Sequence, residues 1–273
     1  MRSRLFEKTA SFVVLPALFL TMGLIGCSTA STAPISDPTT SLSKNWQIQT
    51  GSSIGTPQGS SFFLAGAMQI QGSQVTAKFH SIGTCLGPSE PLAYTGTYNA
   101  ATGALSLNST PPAVSVQLAV PSDPTSLATG SLGGGGVTCQ AVAQGIPSVG
   151  IEISALSGAF SGAVASANST GTATLTVSQA AMASADSTFP LTGTLQFSNT
   201  TCTNTFAVTG SVNGAGYSLA SAASGSPAVS SVTISGYDNA GGSTLPSVSI
   251  AFADGPCVTG PSSAATYTGN LTL

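Results

Sequence analysis

An all-β fold, an antiparallel meander built from two related halves that closes as a sandwich or a barrel, is what this sequence predicts. Three observations predict it. Apolar residues recur at every second position in short segments, compact glycine and asparagine turns separate those segments, and one arrangement of cysteines and flanking text occurs twice.

The chain opens with MRSRLFEK, where Arg2, Arg4 and Lys8 outnumber Glu7, and an uncharged, largely apolar run follows from Thr9 to Gly26. Basic end, short apolar middle and small residue before a cut are the marks of an export signal. A permanent span is disfavoured, because crossing a bilayer takes about 20 apolar residues and this run contains Pro16, Thr21, Gly23 and Gly26.

Leu24-Ile25-Gly26-Cys27 closes that signal. The tetrapeptide resembles the lipobox of bacterial lipoproteins, in which the cysteine is acylated and becomes the first mature residue. Leu24 and Ile25 match its apolar positions, Gly26 its small residue and Cys27 its modified one. The resemblance implies residues 1–26 as signal peptide and a membrane anchor at Cys27, where each buried acyl methylene contributes about 0.8 kcal/mol. Ser28 at the next position implies the outer membrane as location.

Residues 27–44 include STASTAPISDPTTSLS, which holds too few apolar side chains to offset its conformational entropy and is read as a flexible tether. Order is expected from Asn45-Trp46. The phrase Ser43-Lys44-Asn45-Trp46, with the Ser/Thr/Gly-rich text behind it, resembles β lipoproteins of environmental bacteria such as acidobacteria. That resemblance implies a location and no activity.

From there the period is two. FFLAGAMQIQ (62–71), QVTAKFHSI (74–82), VSVQLAV (114–120), TATLTV (172–177), LTGTLQF (191–197), SSVTISG (230–236), VSIAF (248–252) and YTGNLTL (267–273) read as half-buried strands. Gly72-Ser73, Asn99 to Gly103 and Asn213-Gly214 read as turns, and such short links impose antiparallel neighbours. SQAAMASAD (178–186) is the one place where a helical turn is expected.

Cys85 and Cys139 are 54 positions apart, Cys202 and Cys257 are 55 apart, and YTGTYNAATGALSL (94–107) is echoed by VTGSVNGAGYSLA (208–220). The repeat divides the chain into β repeat 1 (45–153) and β repeat 2 (154–273). It also selects Cys85 with Cys139 and Cys202 with Cys257 from three connectivities, four buried free thiols being the alternative. Zinc is not expected, with no CxxC and one histidine.

Charged residues are 5% of the chain, against about 25% in ordinary soluble domains. Beyond residue 26 there are two lysines, Lys44 and Lys78, no arginine and seven acids, a net charge of −5. Such a chain cannot neutralise a run of phosphates, so nucleic acid is excluded as a partner. Positive mean hydropathy argues against disorder.

Candidate chemistry is sparse. Gly51-Ser52-Ser53-Ile54-Gly55 matches the G-x-S-x-G elbow of a serine hydrolase, but the only histidine, His80, follows Ser53 with no acid between them. His80 reads as an ordinary strand residue. Gly133 to Gly136 lacks the lysine of a phosphate loop and reads as a flexible turn, and Asp238 to Gly242 has one carboxylate, too few for calcium. Asp37, Glu90, Asp123, Glu152, Asp186, Asp238 and Asp254 are dispersed, so a glycosidase pair is not legible. Trp46, Phe62, Phe63, Tyr94, Tyr98, Tyr217, Tyr237 and Tyr267 are candidates for stacking on sugars, with core positions the better reading. No catalytic residue, metal or cofactor is expected.

The function this supports is a lipid-anchored, non-enzymatic envelope protein with a structural or binding role at the cell surface or in the periplasm. Its partners are the membrane through Cys27 and an unidentified surface ligand or protein. The alternatives are a β-barrel carrier of a small apolar ligand and a carboxylate-dependent hydrolase; a transmembrane barrel lacks visible aromatic girdles.

Overall fold

The computed structural model describes residues 44–51, 63–82, 91–109, 113–123, 125–135, 145–221, 231–238, 241–253, 255, 257–258 and 264–273. Among the described residues sixteen strands follow one another as an antiparallel meander. The first eight are β1 (Asn45–Thr50), β2 (Phe63–Gln71), β3 (Gln74–Ile82), β4 (Leu92–Asn99), β5 (Ala104–Ser109), β6 (Ala113–Ala119), β7 (Ala128–Gly135) and β8 (Ile146–Glu152). They form a closed barrel, β8 returning to pair with β1. The second eight are β9 (Gly158–Ala165), β10 (Thr170–Gln179), β11 (Phe189–Asn199), β12 (Thr203–Asn213), β13 (Gly216–Ser221), β14 (Val232–Tyr237), β15 (Thr244–Phe252) and β16 (Ala265–Thr272), and β16 closes a second barrel on β9. Each barrel has its own apolar core.

The period-two pattern maps onto inside and outside. In β11, Phe189, Leu191, Leu195 and Phe197 are buried, while Thr192, Thr194 and Gln196 are less so or exposed. Eight strands enclose just enough room for side chains. Trp46, Ile48, Leu64, Phe79 and Leu107 are almost fully buried in the first barrel, Phe160, Leu195, Phe252 and Tyr267 in the second.

Inward positions at mid-strand are repeatedly glycine, most often in the phrase Thr-Gly. A Cβ on Gly96 would overlap the carbonyl oxygen of Ser106 on the neighbouring strand, and one on Gly193 that of Thr176. Gly130 and Gly210 stand in the same relation to Gln117 and Ser218. Glycine at such points lets a strand bend sharply enough to close a small barrel. The vacated space is filled from across the ladder: Gly96 faces Leu107, Gly130 faces Leu118, Gly193 faces Val208 and Gly210 faces Leu219.

Two-residue turns join β2 to β3 and β12 to β13, with Gly72 (φ +61°) and Gly214 (φ +57°) in the first central position, where a left-handed backbone suits the hairpin twist. Two expectations are corrected. Gly133 to Gly135 form no turn: they continue β7, paired with Ser115, Val114 and Ala113. Residues 178–186 hold no helical turn, because β10 runs on to Gln179 and the loop after it is tied by side-chain bonds of Ser184 and Asp186 that compete with helix.

Gly193→Val is expected to destabilise the protein by about 1–3 kcal/mol or more, as overpacking does, while Thr194→Val on the outer face changes little. Urea unfolding of the two variants checks this; equal midpoints would remove the bending role of the inward glycines.

Candidate functional site

The outer face of β1 and β2 is buried against the second barrel. Asn45, Gln47, Phe63 and Ala65 point away from their own barrel's core yet are 1%, 2%, 3% and 0% exposed. Asn45 grips the β12–β13 turn with both ends of its amide: its Nδ2 donates to the Gly214 carbonyl at 2.8 Å, and the Gly214 N–H donates to its Oδ1 at 2.9 Å. The Ala215 N–H donates to Gln47 Oε1 at 3.0 Å. These bonds satisfy buried amides whose desolvation would otherwise be costly.

A second contact comes from the loop 180–188 between β10 and β11. Ser187, 1% exposed and at φ +68°, places its hydroxyl inside the β2–β3 ladder. The hydroxyl accepts from the Ala67 N–H at 2.9 Å and donates to the Lys78 carbonyl, bridging two residues that face each other in register. Gly66 makes room for it, since a Cβ there would meet both the Lys78 carbonyl and the Ser187 hydroxyl. The Lys78 ammonium donates to the Ala185 carbonyl at 3.3 Å, and His80 Nε2 lies 2.6 Å from the Asp186 carbonyl oxygen, which requires the proton on Nε2.

Along this seam lies a groove of about 530 Å³ on the outer face of β12 to β15. Its floor is a row of serines in register across four strands: Ser211 faces Ser218, Ser218 faces Ser235, and Ser235 faces Ser249. Beside the row, Gly216 pairs with Asn213 on one side and Tyr237 on the other, leaving a gap between them. The Tyr237 ring reaches over that gap, its Cε1 3.5 Å from where a Gly216 Cβ would sit. Phe63 of the first barrel closes one side. Ser247, at φ +56° in the bulge that follows Leu245, lines the rim; its N–H donates to Asn270 Oδ1 at 2.9 Å.

Tyr217, beneath this face, is 4% exposed. Burial first, and the neighbouring Asp238 carboxylate second, push its hydroxyl pKa up, so it stays protonated. Among the described residues, the groove lining holds no Asp, Glu, Lys or His.

The sequence candidates scatter. Cys27 with Leu24, Ile25 and Gly26, as well as Ser53, Phe62, Cys85 and Cys139, lies outside the described residues. Cys202 and Cys257 form a disulfide, with Cα atoms 4.9 Å apart, at the end of the second barrel opposite the seam. Around it Asn199 Nδ2 donates to Tyr267 Oη at 2.8 Å, and the Cys202 N–H donates to Asn199 Oδ1 at 2.7 Å. Glu152 pairs with Lys44 at 2.7 Å. Asp238 Oδ1 accepts the Gly242 N–H at 3.2 Å, a turn contact. Among the described residues no group of three or more His, Cys, Asp or Glu is placed to hold a metal, and no helix is long and apolar enough to cross a membrane. Of the aromatic candidates described, Tyr237 is the exposed one, at 37%; Trp46, Phe63, Tyr94, Tyr98, Tyr217 and Tyr267 are buried. Sequence reasoning missed the serine row, whose signal is Ser at outward positions of successive strands, and the clasp of Ser187.

Asp123 and Asp186 are exposed carboxylates with lowered pKa. For Asp123 the Thr125 hydroxyl is the main cause; for Asp186 it is the Ser184 hydroxyl, followed by the hydroxyl and N–H of Thr188.

No family model matches the chain, and no curated protein does. Among solved structures it is similar to a point mutant of the vaccine antigen transferrin binding protein B from Haemophilus parasuis Hp5. The two share 8% sequence identity over 78% of this chain and 54% of that one, with a TM-score of 0.18. The chain thus spans about half the length of that structure.

Ser187→Ala is expected to cost about 1–3 kcal/mol, because it strands a buried N–H and carbonyl; unfolding curves and the amide shift of Ala67 report it. The Asp186 contribution is fully present above the ordinary carboxylate pKa and fades as pH falls through the lowered folded value. A carboxyl NMR titration is therefore expected to place the Asp186 midpoint below that of an unstructured aspartate, and Ser184→Ala to raise it.

Proposed function

We propose that this protein is a lipid-anchored, non-enzymatic envelope protein that binds a ligand, held at the outer membrane by acyl chains on Cys27. One observation carries the binding role: the seam groove is of ligand size and is lined by hydroxyls, an amide and aromatic rings, with no acid or basic side chain among the described residues of its lining. Such a lining recognises by hydrogen bonding and stacking, and it holds no carboxylate or imidazole to move a proton.

The surroundings support the same reading. Apolar side chains occupy the barrel interiors, which leaves the outer surface as the place where a partner is met. Lys44 and Lys78, the two basic residues beyond the signal, are engaged with Glu152 and with the Ala185 carbonyl, so neither offers a phosphate contact. The anchoring half of the proposal stands on Leu24-Ile25-Gly26-Cys27 and the basic, apolar segment before it.

Metabolic labelling with an alkynyl fatty acid is expected to mark the wild-type chain in the membrane fraction. Cys27→Ala is expected to abolish both label and sedimentation, and an unlabelled wild-type chain in the soluble fraction would overturn the anchor. A hydrolytic activity of the purified chain that disappears in Glu152→Gln or Asp238→Asn would overturn the non-enzymatic role.

A further inference from the structure

Four serines in one register place their side chains side by side at the spacing of neighbouring strands, about 4.8 Å. Ser211, Ser218, Ser235 and Ser249 thus form a line about 14 Å long across three strand gaps, with the side of the Tyr237 ring at one edge. A ligand entering the groove covers hydroxyls that lose water, and that loss is offset only if the ligand returns hydrogen bonds. A purely apolar guest therefore does not suit the floor. A charged guest does not suit it either, since the lining holds no side chain of opposite charge among the described residues.

What remains is a molecule that is neutral, carries many hydroxyls, and shows an apolar face to an aromatic ring. From the groove's lining we infer that it binds a neutral glycan, with a sugar ring stacked on Tyr237 and its hydroxyls bonded along the serine row. This rests on the reading of the groove as a binding site and names its ligand class. Gly216 positions the ring: because it carries no side chain between Asn213 and Tyr237, the Tyr237 ring lies over that gap, its Cε1 3.5 Å from where a Cβ would sit. The bulge at Leu245 to Val248, with Ser247 in a left-handed conformation at the rim, fits the habit of bulges to re-aim side chains beside functional sites. The neighbouring barrel supplies Phe63, so the groove is complete only when the two barrels are docked.

The test uses the full chain with Cys27→Ser, titrated with cellohexaose, mannohexaose, maltohexaose and chitohexaose, and with a hexagalacturonate as the charged probe. Saturation-transfer NMR and calorimetry read the binding. At least one neutral hexasaccharide is expected to bind, with affinity reduced about tenfold or more in Tyr237→Ala and in Gly216→Val and unchanged in Thr205→Ala on the outer face of β12. Melting curves confirm that each variant is folded, and Ser235→Ala serves where Gly216→Val is not. Failure of every neutral probe, or binding that survives both Tyr237→Ala and Ser235→Ala, overturns the inference. Binding of the hexagalacturonate alone, lost in Tyr237→Ala, overturns the ligand class and leaves the groove as a binding site. Failure of all probes alongside fatty-acid labelling of Cys27 removes the groove's role and leaves the anchor.

Discussion

Closing an eight-stranded sheet on itself forces inward side chains toward the backbone of the next strand, and this crowding governs the rest of the structure. Glycine relieves it at Gly96, Gly130, Gly193 and Gly210, and a large apolar residue directly across the ladder refills the space. The inside of each barrel therefore alternates absent and bulky side chains, which fits a narrow interior better than uniform packing would. Closure also explains a composition that is otherwise puzzling. Open sheets protect their free edges with charges, and a closed barrel has no free edge to protect. A chain with 5% charged residues can then present Ser, Thr, Asn and Gln to water without inviting strand addition.

Two such barrels still need a reason to stay together, because their convex outer faces are polar. The seam solves this with fixed hydrogen bonds in place of a broad apolar patch. Asn45 and Gln47 hold the β12–β13 turn, and Ser187 enters the β2–β3 ladder as a surrogate for a ladder bond. Each contact demands one geometry, since a buried amide or hydroxyl out of register loses its partner at a cost of about 1–3 kcal/mol. Ala65 and Phe63 add buried apolar area beneath those bonds, so specificity comes from the polar contacts and adhesion from the apolar ones.

The fold class was legible because alternation survives wherever strands carry Val, Leu, Ile or Phe: QVTAKFHSI became β3 over the same residues. It faded in ATGSLGGG and GAFSGAVA, now β7 and β9, where Gly, Ala and Ser have low β propensity and backbone pairing within the closed barrel decides the conformation. The disulfide between Cys202 and Cys257 was legible from spacing. The seam was not. Asn45 and Gln47 look like ordinary outward polar residues, and nothing local to Ser187 says that its partners lie more than a hundred positions earlier. The groove was half legible: Tyr237 stood among eight aromatic candidates, but only register makes Ser211, Ser218, Ser235 and Ser249 neighbours.

A filled barrel is a poor place for a recess, since its interior is occupied and its exterior curves away from any guest. Concavity has to come from an addition or an omission, and the groove uses both. Phe63 belongs to the first barrel and forms a wall against the second, while Gly216 omits a side chain from an otherwise continuous outer face. The same docking that buries Asn45 and Gln47 therefore creates the groove. A weakened seam would lose the wall before either barrel lost its core, because Asn45, Gln47 and Ser187 hold the interface while each core is built from its own strands. On the proposed reading, recognition depends on the relation between two barrels, and the polar clasp that fixes that relation shapes the groove as much as the tyrosine and serines that line it.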